Sequence, residues 1–286
     1  MACAAGRGLE VLAITDHDTT LGVPPALAEA QRWGITVVPG VEISTVSGRE
    51  ELHLLGYFID VENLPLQTLL TRTREARRER AQQMLARLAH LGLPIEWERV
   101  VRLAGDGSSI GRPHVAATLL EAGYISSYDE AFELWIGWGC PAYVERYKLS
   151  PEEAIALIRG SGGLAVLAHP YLCDRKGECR SGLDLKRWLP RLCAAGLEGI
   201  EVYYPNYPRH VSRQLLALAA QHGLLITGGS DFHGSLTDNG LGSVAVPWAA
   251  WEGLLRRHRS ARTRPADQTQ TTTRPAALSD RQCGAD

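Results

Sequence analysis

Lysine is nearly missing from this chain. Of its 30 basic residues, only Lys148, Lys176 and Lys186 are lysines. The rest are arginines, whose planar fork suits phosphate, although a genome-wide bias in composition gives the same count. Excess charge of either sign is missing too, since the formal net charge is -2. That balance speaks against a DNA-coating or membrane-surface role, so an anionic substrate has to be recognised by local charge. No apolar run approaches the roughly 20 residues needed to span a bilayer. Residues 1–20 also lack the basic region, apolar stretch and cleavage site of a secretory signal. The six cysteines form no C-x-x-C pair, which argues against a zinc ribbon. Their scatter predicts free thiols in a reducing compartment, and hence a cytoplasmic protein. P-loop, nucleophile elbow and G-x-G-x-x-G are all absent. Gly228-Gly229-Ser230 and Gly160-Ser161-Gly162-Gly163 read as short turns, and Cys140 as structural.

What is present is an ordinary globular composition, 45% hydrophobic and 22% charged over 286 residues. That is enough for one large domain, or a main domain with an insert. Short apolar runs predict strands at Glu10–Thr15, Ile35–Pro39, Val41–Thr45, Glu51–Phe58, Gly163–Ala168, Gly199–Tyr203, Leu224–Gly228 and Ser243–Val246. Helices are predicted at Pro24–Trp33, Pro151–Arg159, Asp184–Ala195 and Pro208–His222. This alternation indicates an α/β fold with a mainly parallel, barrel-like sheet. Residues 64–147 break the rhythm and read as helices alone, near Leu66–Leu91, Trp97–Leu103, Pro113–Ala122 and Tyr128–Trp135. The expected organisation is a discontinuous barrel (1–63 and 148–258), a helical insert or substrate cap (64–147), and a polar, disordered tail (259–286).

The polar residues beside these strands carry the chemistry. His17 follows VLAIT within TDHD, Glu42 follows VVPGV, and His53 lies in ELHLLGY. His169 ends GGLAVLA, Glu201 ends GLEGI, and Asp231 and His233 follow LLITGGS. In α/β barrels the C-terminal ends of the strands build the site, each strand adding one group. Mixed imidazole and carboxylate ligands suit Zn²⁺, Mn²⁺ or Fe²⁺. Singly, each has a plainer reading. His53 is then a hydrogen-bonded core residue, Asp18 a cap for the next helix, and Asp231 with His233 a turn. Six strand ends together favour the metal site. Asp231 and His233, two apart, project to one side if their segment is extended.

On the long helix of the insert, Leu66, Leu70, Ala81, Met84, Leu88 and Leu91 form one stripe at 100° per residue. Arg77 falls within that stripe, and Arg74 and Arg80 lie at its borders. A core-facing arginine needs an anion, either a protein carboxylate or a substrate phosphate. In GRPHVAATLL, Pro113 suits a first helical position, which puts Arg112 and His114 at a helix N-terminus that favours phosphate. Arg77, Arg80, Arg112 and His114 are therefore the candidate substrate-binding residues.

AITDHDTT, VPGVEIS, ELHLLGY, LAHP and GGSDFHG resemble, in order, the motifs of the PHP (polymerase and histidinol phosphatase) family. The likeness runs from about Gly8 to Gly242. It is nearest to the bacterial branch that removes the 3′-phosphate of 3′,5′-bisphosphonucleotides and trims short RNA from its 5′ end. The resemblance implies a distorted seven-stranded barrel with up to three metal ions, commonly Mn²⁺. It carries the ligand role onto His17, Glu42, His53, His169, Asp231 and His233, with Glu201 supporting them. It implies nucleotide or short RNA as partner and no membrane. The family pattern opens with a strand bearing H-x-H and then an acidic residue, whereas AAGRGLEVLAIT already resembles the first helix and second strand. The expectation is therefore that this first strand is missing, through a start assigned too late or a fragment. Its loss leaves a sheet edge unpaired. Two other readings stay open: a phosphatase of the histidinol phosphate type, and an inactive nucleotide-binding module.

Overall fold

A computed structural model describes residues 1–48, 50–105, 109–145, 149–173, 178–181, 183–234 and 240–263. The expected tail lies mostly outside them. The strands are β1 (Val11–Ile14), β2 (Thr36–Ser47), β3 (Glu50–Tyr57), β4 (Leu164–Leu167), β5 (Tyr171–Cys173), β6 (Cys179–Ser181), β7 (Gly199–Tyr203) and β8 (Leu225–Gly228). The helices are α1 (Ala2–Gly6), α2 (Val23–Trp33), α3 (Leu64–His90), α4 (Trp97–Ala104), α5 (Arg112–Glu121), α6 (Tyr128–Glu130), α7 (Pro151–Gly160), α8 (Leu185–Ala195), α9 (Arg209–His222) and α10 (Trp248–Arg262). Among the described residues the main sheet runs β1-β2-β3-β4-β7-β8. The β1–β2, β4–β7 and β7–β8 pairs are parallel, whereas β3 runs antiparallel to both β2 and β4.

Two expected strands, Ile35–Pro39 and Val41–Thr45, are one. β2 continues through Pro39-Gly40, pairing its first part with β1 and its second with β3. Pro39 has no amide to donate, but it stays in register with Ile14 of β1 and its carbonyl accepts from the Ile59 amide. Gly40 is required by crowding: a Cβ there would lie 2.8 Å from the Gly56 carbonyl oxygen and 2.9 Å from that of Ile14. Ser243–Val246, expected as a strand, pairs with no strand among the described residues, and α10 follows it. The start of the expected tail is ordered as the last turn of α10, whose buried anchor is Leu254.

α7, α8 and α9 cover one sheet face, with Trp188, Ile155, Ile158 and Leu215 fully buried against Leu54, Leu167 and Ile200. Asp184 caps α8, and Ser150 with Glu153 forms a capping box on α7, each satisfying amides that a helix start leaves free. Residues 64–145 contain helices and no described strand. α3, α4 and α5 share a core of Leu85, Leu88, Val100, Val115 and Leu119. The α3 stripe is buried at Leu66, Leu70, Ala81, Met84 and Leu88, but Leu91 lies beyond the helix and is exposed. After α6, Ala131–Trp135 forms a π-helical turn.

The cysteines depart from expectation. β5 and β6 form an antiparallel hairpin in which Cys173 faces Cys179, and the two are joined as a disulfide. Cys3, Cys140 and Cys193 are free. No helix among the described residues is long and apolar enough to cross a membrane.

Candidate metal centre

β1 delivers His17. Beyond Ile14 the chain stays beside β2, with the Asp16 carbonyl accepting from the Glu42 amide and the Glu42 carbonyl accepting from the Asp18 amide. This makes a parallel bridge between His17 and Glu42, so their side chains lie together. His53 enters from β3 opposite Ser44. Because β3 runs antiparallel, its site residue lies in its first half and not at its C-terminal end, as a wholly parallel reading requires. His169 follows β4, and Asp231 and His233 follow β8. Asp231 has φ +47°, so the Asp231–His233 segment is not the extended one expected. The His233 Nδ1 lies 2.9 Å from the Asp231 carbonyl oxygen.

One buried oxygen organises the cluster. Glu42 Oε1 is 2.6 Å from His53 Nδ1, 3.1 Å from His169 Nε2 and 3.7 Å from His17 Nδ1. The rings of His17 and His233 are 5.6 Å apart. Burial works against ionisation of Glu42, but the neighbouring His17 and His53 rings and hydrogen bonds from His169 and His53 hold it well below the usual carboxylate range. Burial first, then the Arg77 and His53 charges, lower His17 to about 4 against the pull of Glu42. Its imidazole is neutral near pH 7, with a lone pair to give. Burial opposes protonation of His169 as well, yet the Glu42 hydrogen bond raises it to about 9.

This donor set fits a divalent cation. His17 Nδ1 is buried with no hydrogen-bond partner, a costly state for a polar atom. The donor atoms of His17, Glu42 and His53 lie within 4.8 Å of one another, so small inward shifts of the side chains would bring them to the spacing set by metal–ligand bonds of about 2.0–2.2 Å. His17, Glu42, His114, His169, Asp231 and His233 all line a cavity of about 1230 Å³, which is also bounded by β1 and by Thr227–Ser230.

The four candidate substrate residues are used unequally. Arg77 has a protein carboxylate as its anion. Its Nε and Nη2 each lie 2.6 Å from Asp18 Oδ2, and Nη2 also donates to Ser44 Oγ at 2.7 Å. Asp18 is fully buried and accepts from the Ser44 amide as well, so it does not cap α2, whose N-cap is Gly22. His114 faces the cavity, with Nδ1 accepting from the Gly111 amide. Burial, Arg77 and His233 lower its pKa. Arg112 pairs with Glu51 and lies over the Phe132 ring. Arg80 is buried, donating from Nε to the Val144 carbonyl beside Tyr143.

The sequence reading missed Tyr204, whose Oη donates to Asp231 Oδ2 at 2.6 Å. The adjacent tyrosines Tyr203-Tyr204 in GIEVYYP carried no signal of which one reaches the site. Glu201, which the resemblance gave a supporting role, accepts from the His169 amide on Oε2 at 2.8 Å. Burial raises it to about 7, against the lowering effect of His169.

A curled α/β sheet with imidazole and carboxylate donors gathered at one mouth defines a metal-dependent phosphoesterase of barrel type. The known proteins similar to this chain agree. An Escherichia coli protein named 5′-3′ exoribonuclease Rnm is 40% identical over 228 residues, covering 78% of this chain and 74% of the relative. A 3′,5′-nucleoside bisphosphate phosphatase from Chromobacterium violaceum is 36% identical over 231 residues, covering 80% and 79%. A solved structure from Bifidobacterium adolescentis, described as a metal-dependent phosphoesterase, superposes with a TM-score of 0.79 at 34% identity, covering 89% of this chain and 88% of that one. No protein-family model matches the chain. The chain belongs to the PHP family of metal-dependent phosphoesterases.

Proposed function

We propose that this protein removes the 3′-phosphate of 3′,5′-bisphosphonucleotides and trims short RNA from its 5′ end, using manganese. The observation that carries the reading is the Glu42 carboxylate facing three imidazoles, two of which, His17 and His169, line with it a cavity large enough for a nucleotide. The relatives named above are called a phosphatase of such bisphosphates and a 5′-3′ exoribonuclease. Zn²⁺ and Fe²⁺ suit the same donors.

His17, Glu42, His53, His169, Asp231 and His233 hold the ions. Bound ions supply a water of lowered pKa as nucleophile and neutralise phosphoryl charge. The chain's own groups bind and orient. His114, kept neutral by burial and by Arg77, presents an uncharged imidazole to the phosphate. Arg77 adds positive potential from behind Asp18. Arg112, at the N-terminus of α5, holds the second phosphate on leaving Glu51. Arg80 supports this wall from beneath, and the helices of residues 64–147 act as the substrate cap. Cytoplasmic action accords with the nucleotide substrate, whereas the Cys173–Cys179 disulfide does not support the reducing compartment that the cysteine scatter predicted.

The test is Mn²⁺-dependent phosphate release from adenosine 3′,5′-bisphosphate, with histidinol phosphate alongside. Release from the bisphosphate alone, abolished in Glu42→Gln, is the expected result. Release from histidinol phosphate alone overturns the substrate, and silence with both in folded, metal-loaded protein leaves the binding-module reading. In an active enzyme, Arg77→Ala is expected to raise KM more than it lowers kcat.

A further inference from the structure

β7 supplies no ligand to the proposed metal site, yet it lies between two strands that do. β4 and β8 flank it in parallel, with His169 following one and Asp231 the other. Both residues have positive φ, +20° at His169 and +47° at Asp231. Such backbone is uncommon outside glycine and persists only where its surroundings hold it. The holding contacts come from β7 and the residue after it. The nearly buried Glu201 takes the His169 amide on Oε2 at 2.8 Å. Tyr204 Oη donates to Asp231 Oδ2 at 2.6 Å, and its ring lies 5.5 Å from that of His169.

Residues three apart on a regular strand point to opposite faces, so Glu201 and Tyr204 should not serve one site. The register of β7 shows why they do. Glu201 faces Thr227 but Tyr203 faces Gly228, so the strand carries an extra residue against β8. A bulge of this kind re-aims the side chains that follow it. Gly228 makes room for it, since a Cβ there would lie 2.5 Å from the Tyr203 carbonyl oxygen.

We propose that Glu201 and Tyr204 are a pair of positioning residues. Through the bulge in β7 they fix the backbone of His169 and the carboxylate rotamer of Asp231, and so set the ion affinity of that side of the site. Tyr204 leaves only Oδ1 of Asp231 free to ligate, and Glu201 keeps the His169 ring turned toward Glu42.

This inference rests on the metal-centre reading, and the experiment separates the two. Mn²⁺ binding to the full chain is followed by the loss of the free-ion EPR signal, for wild type, Tyr204→Phe, Glu201→Leu and Glu201→Gln. Thermal unfolding is recorded in EDTA and in Mn²⁺. Wild type that binds no Mn²⁺ overturns the metal reading and the proposal with it. With wild type binding, Tyr204→Phe and Glu201→Leu are expected to weaken Mn²⁺ about 10–100-fold, the usual cost of losing a partner of a ligand. Glu201→Gln, which still offers an oxygen to the His169 amide, should bind close to wild type. Tyr204→Phe should unfold near the wild-type temperature in EDTA and lose only part of the Mn²⁺-induced rise. Unchanged Mn²⁺ affinity in Tyr204→Phe overturns the proposal, as does a loss of stability that is the same in EDTA and in Mn²⁺. Tyr204→Phe removes one hydroxyl and decides the matter if Glu201→Leu does not fold.

Discussion

Replacing Arg77 by Met is predicted to cost about 3–5 kcal/mol of stability, the range for stranding one member of a buried pair. Asp18 is fully buried and Arg77 is 12% exposed, with 2.6 Å between them. At that separation and an effective dielectric constant of about 20, the attraction is roughly 6 kcal/mol, before the cost of desolvating both groups. Once the arginine is gone, the Ser44 amide remains as the recorded donor to Asp18, too little for a buried charge. Asp18→Asn should cost less, roughly 1.5–3 kcal/mol, because Arg77 keeps Ser44 Oγ and its partial exposure admits water. The double variant should fall well short of the sum, with a coupling of roughly 1–3 kcal/mol. Urea unfolding in EDTA measures all four proteins without a contribution from bound metal. If Arg77→Met costs under about 1 kcal/mol, as an exposed pair does, and the two changes add, the Arg77–Asp18 pair does not behave as a buried ion pair.

Three further outcomes are expected. Mn²⁺ at about 100 times its dissociation constant should stabilise the protein by roughly 2.7 kcal/mol, and differential scanning calorimetry with EDTA as control reads this as a rise in Tm. Gly40→Ala should cost about 1–3 kcal/mol by overpacking, since its Cβ meets the Gly56 and Ile14 carbonyls; chemical denaturation checks this. Ser150→Ala should cost about 1 kcal/mol at neutral pH and less in acid. The reason is that hydrogen bonds from Ser150 depress the Glu153 pKa, so their stabilisation is present above the ordinary value of 4.5 and fades as pH falls through the lowered one. A pH series of urea midpoints for the two proteins tests the sign.

Those features were legible in the sequence that depend on local pattern. An apolar run followed closely by His, Asp or Glu picked out His17, His169, Asp231 and His233, because parallel strands end where these residues gather, while Glu42 was picked out only because Pro39-Gly40 reads as a strand end inside β2. Features set by partners far along the chain were not. Arg77 visibly needed an anion, but nothing local chose Asp18, 59 residues away, over a phosphate. The continuity of β2 was hidden because Pro39-Gly40 reads as a break, while the fold uses it where the strand changes partner. Ser243–Val246 has strand composition but forms no ladder among the described residues. Cys173 and Cys179 looked unrelated until a hairpin set them opposite each other. A bulge in β7 has no sequence signature, so Tyr204 could not be told from Tyr203.

The change of partner in β2 has a chemical consequence. Its first part lies beside β1 and brings Glu42 level with His17, while its second part runs against β3 and brings in His53. A strand parallel throughout would meet its neighbours' residues only at one end. By turning from a parallel to an antiparallel partner, β2 gathers imidazoles from both sides onto a carboxylate that is only 4% exposed. One carboxylate oxygen facing three ring nitrogens has too few lone pairs to satisfy protons on all of them, and His17 Nδ1 is left without a partner. A divalent cation would remove that conflict, because it accepts a lone pair from each nitrogen and is attracted to the carboxylate. The same backbone change that obscured the strand in the sequence thus gathers a carboxylate and imidazoles into a donor set of the kind that holds a metal ion.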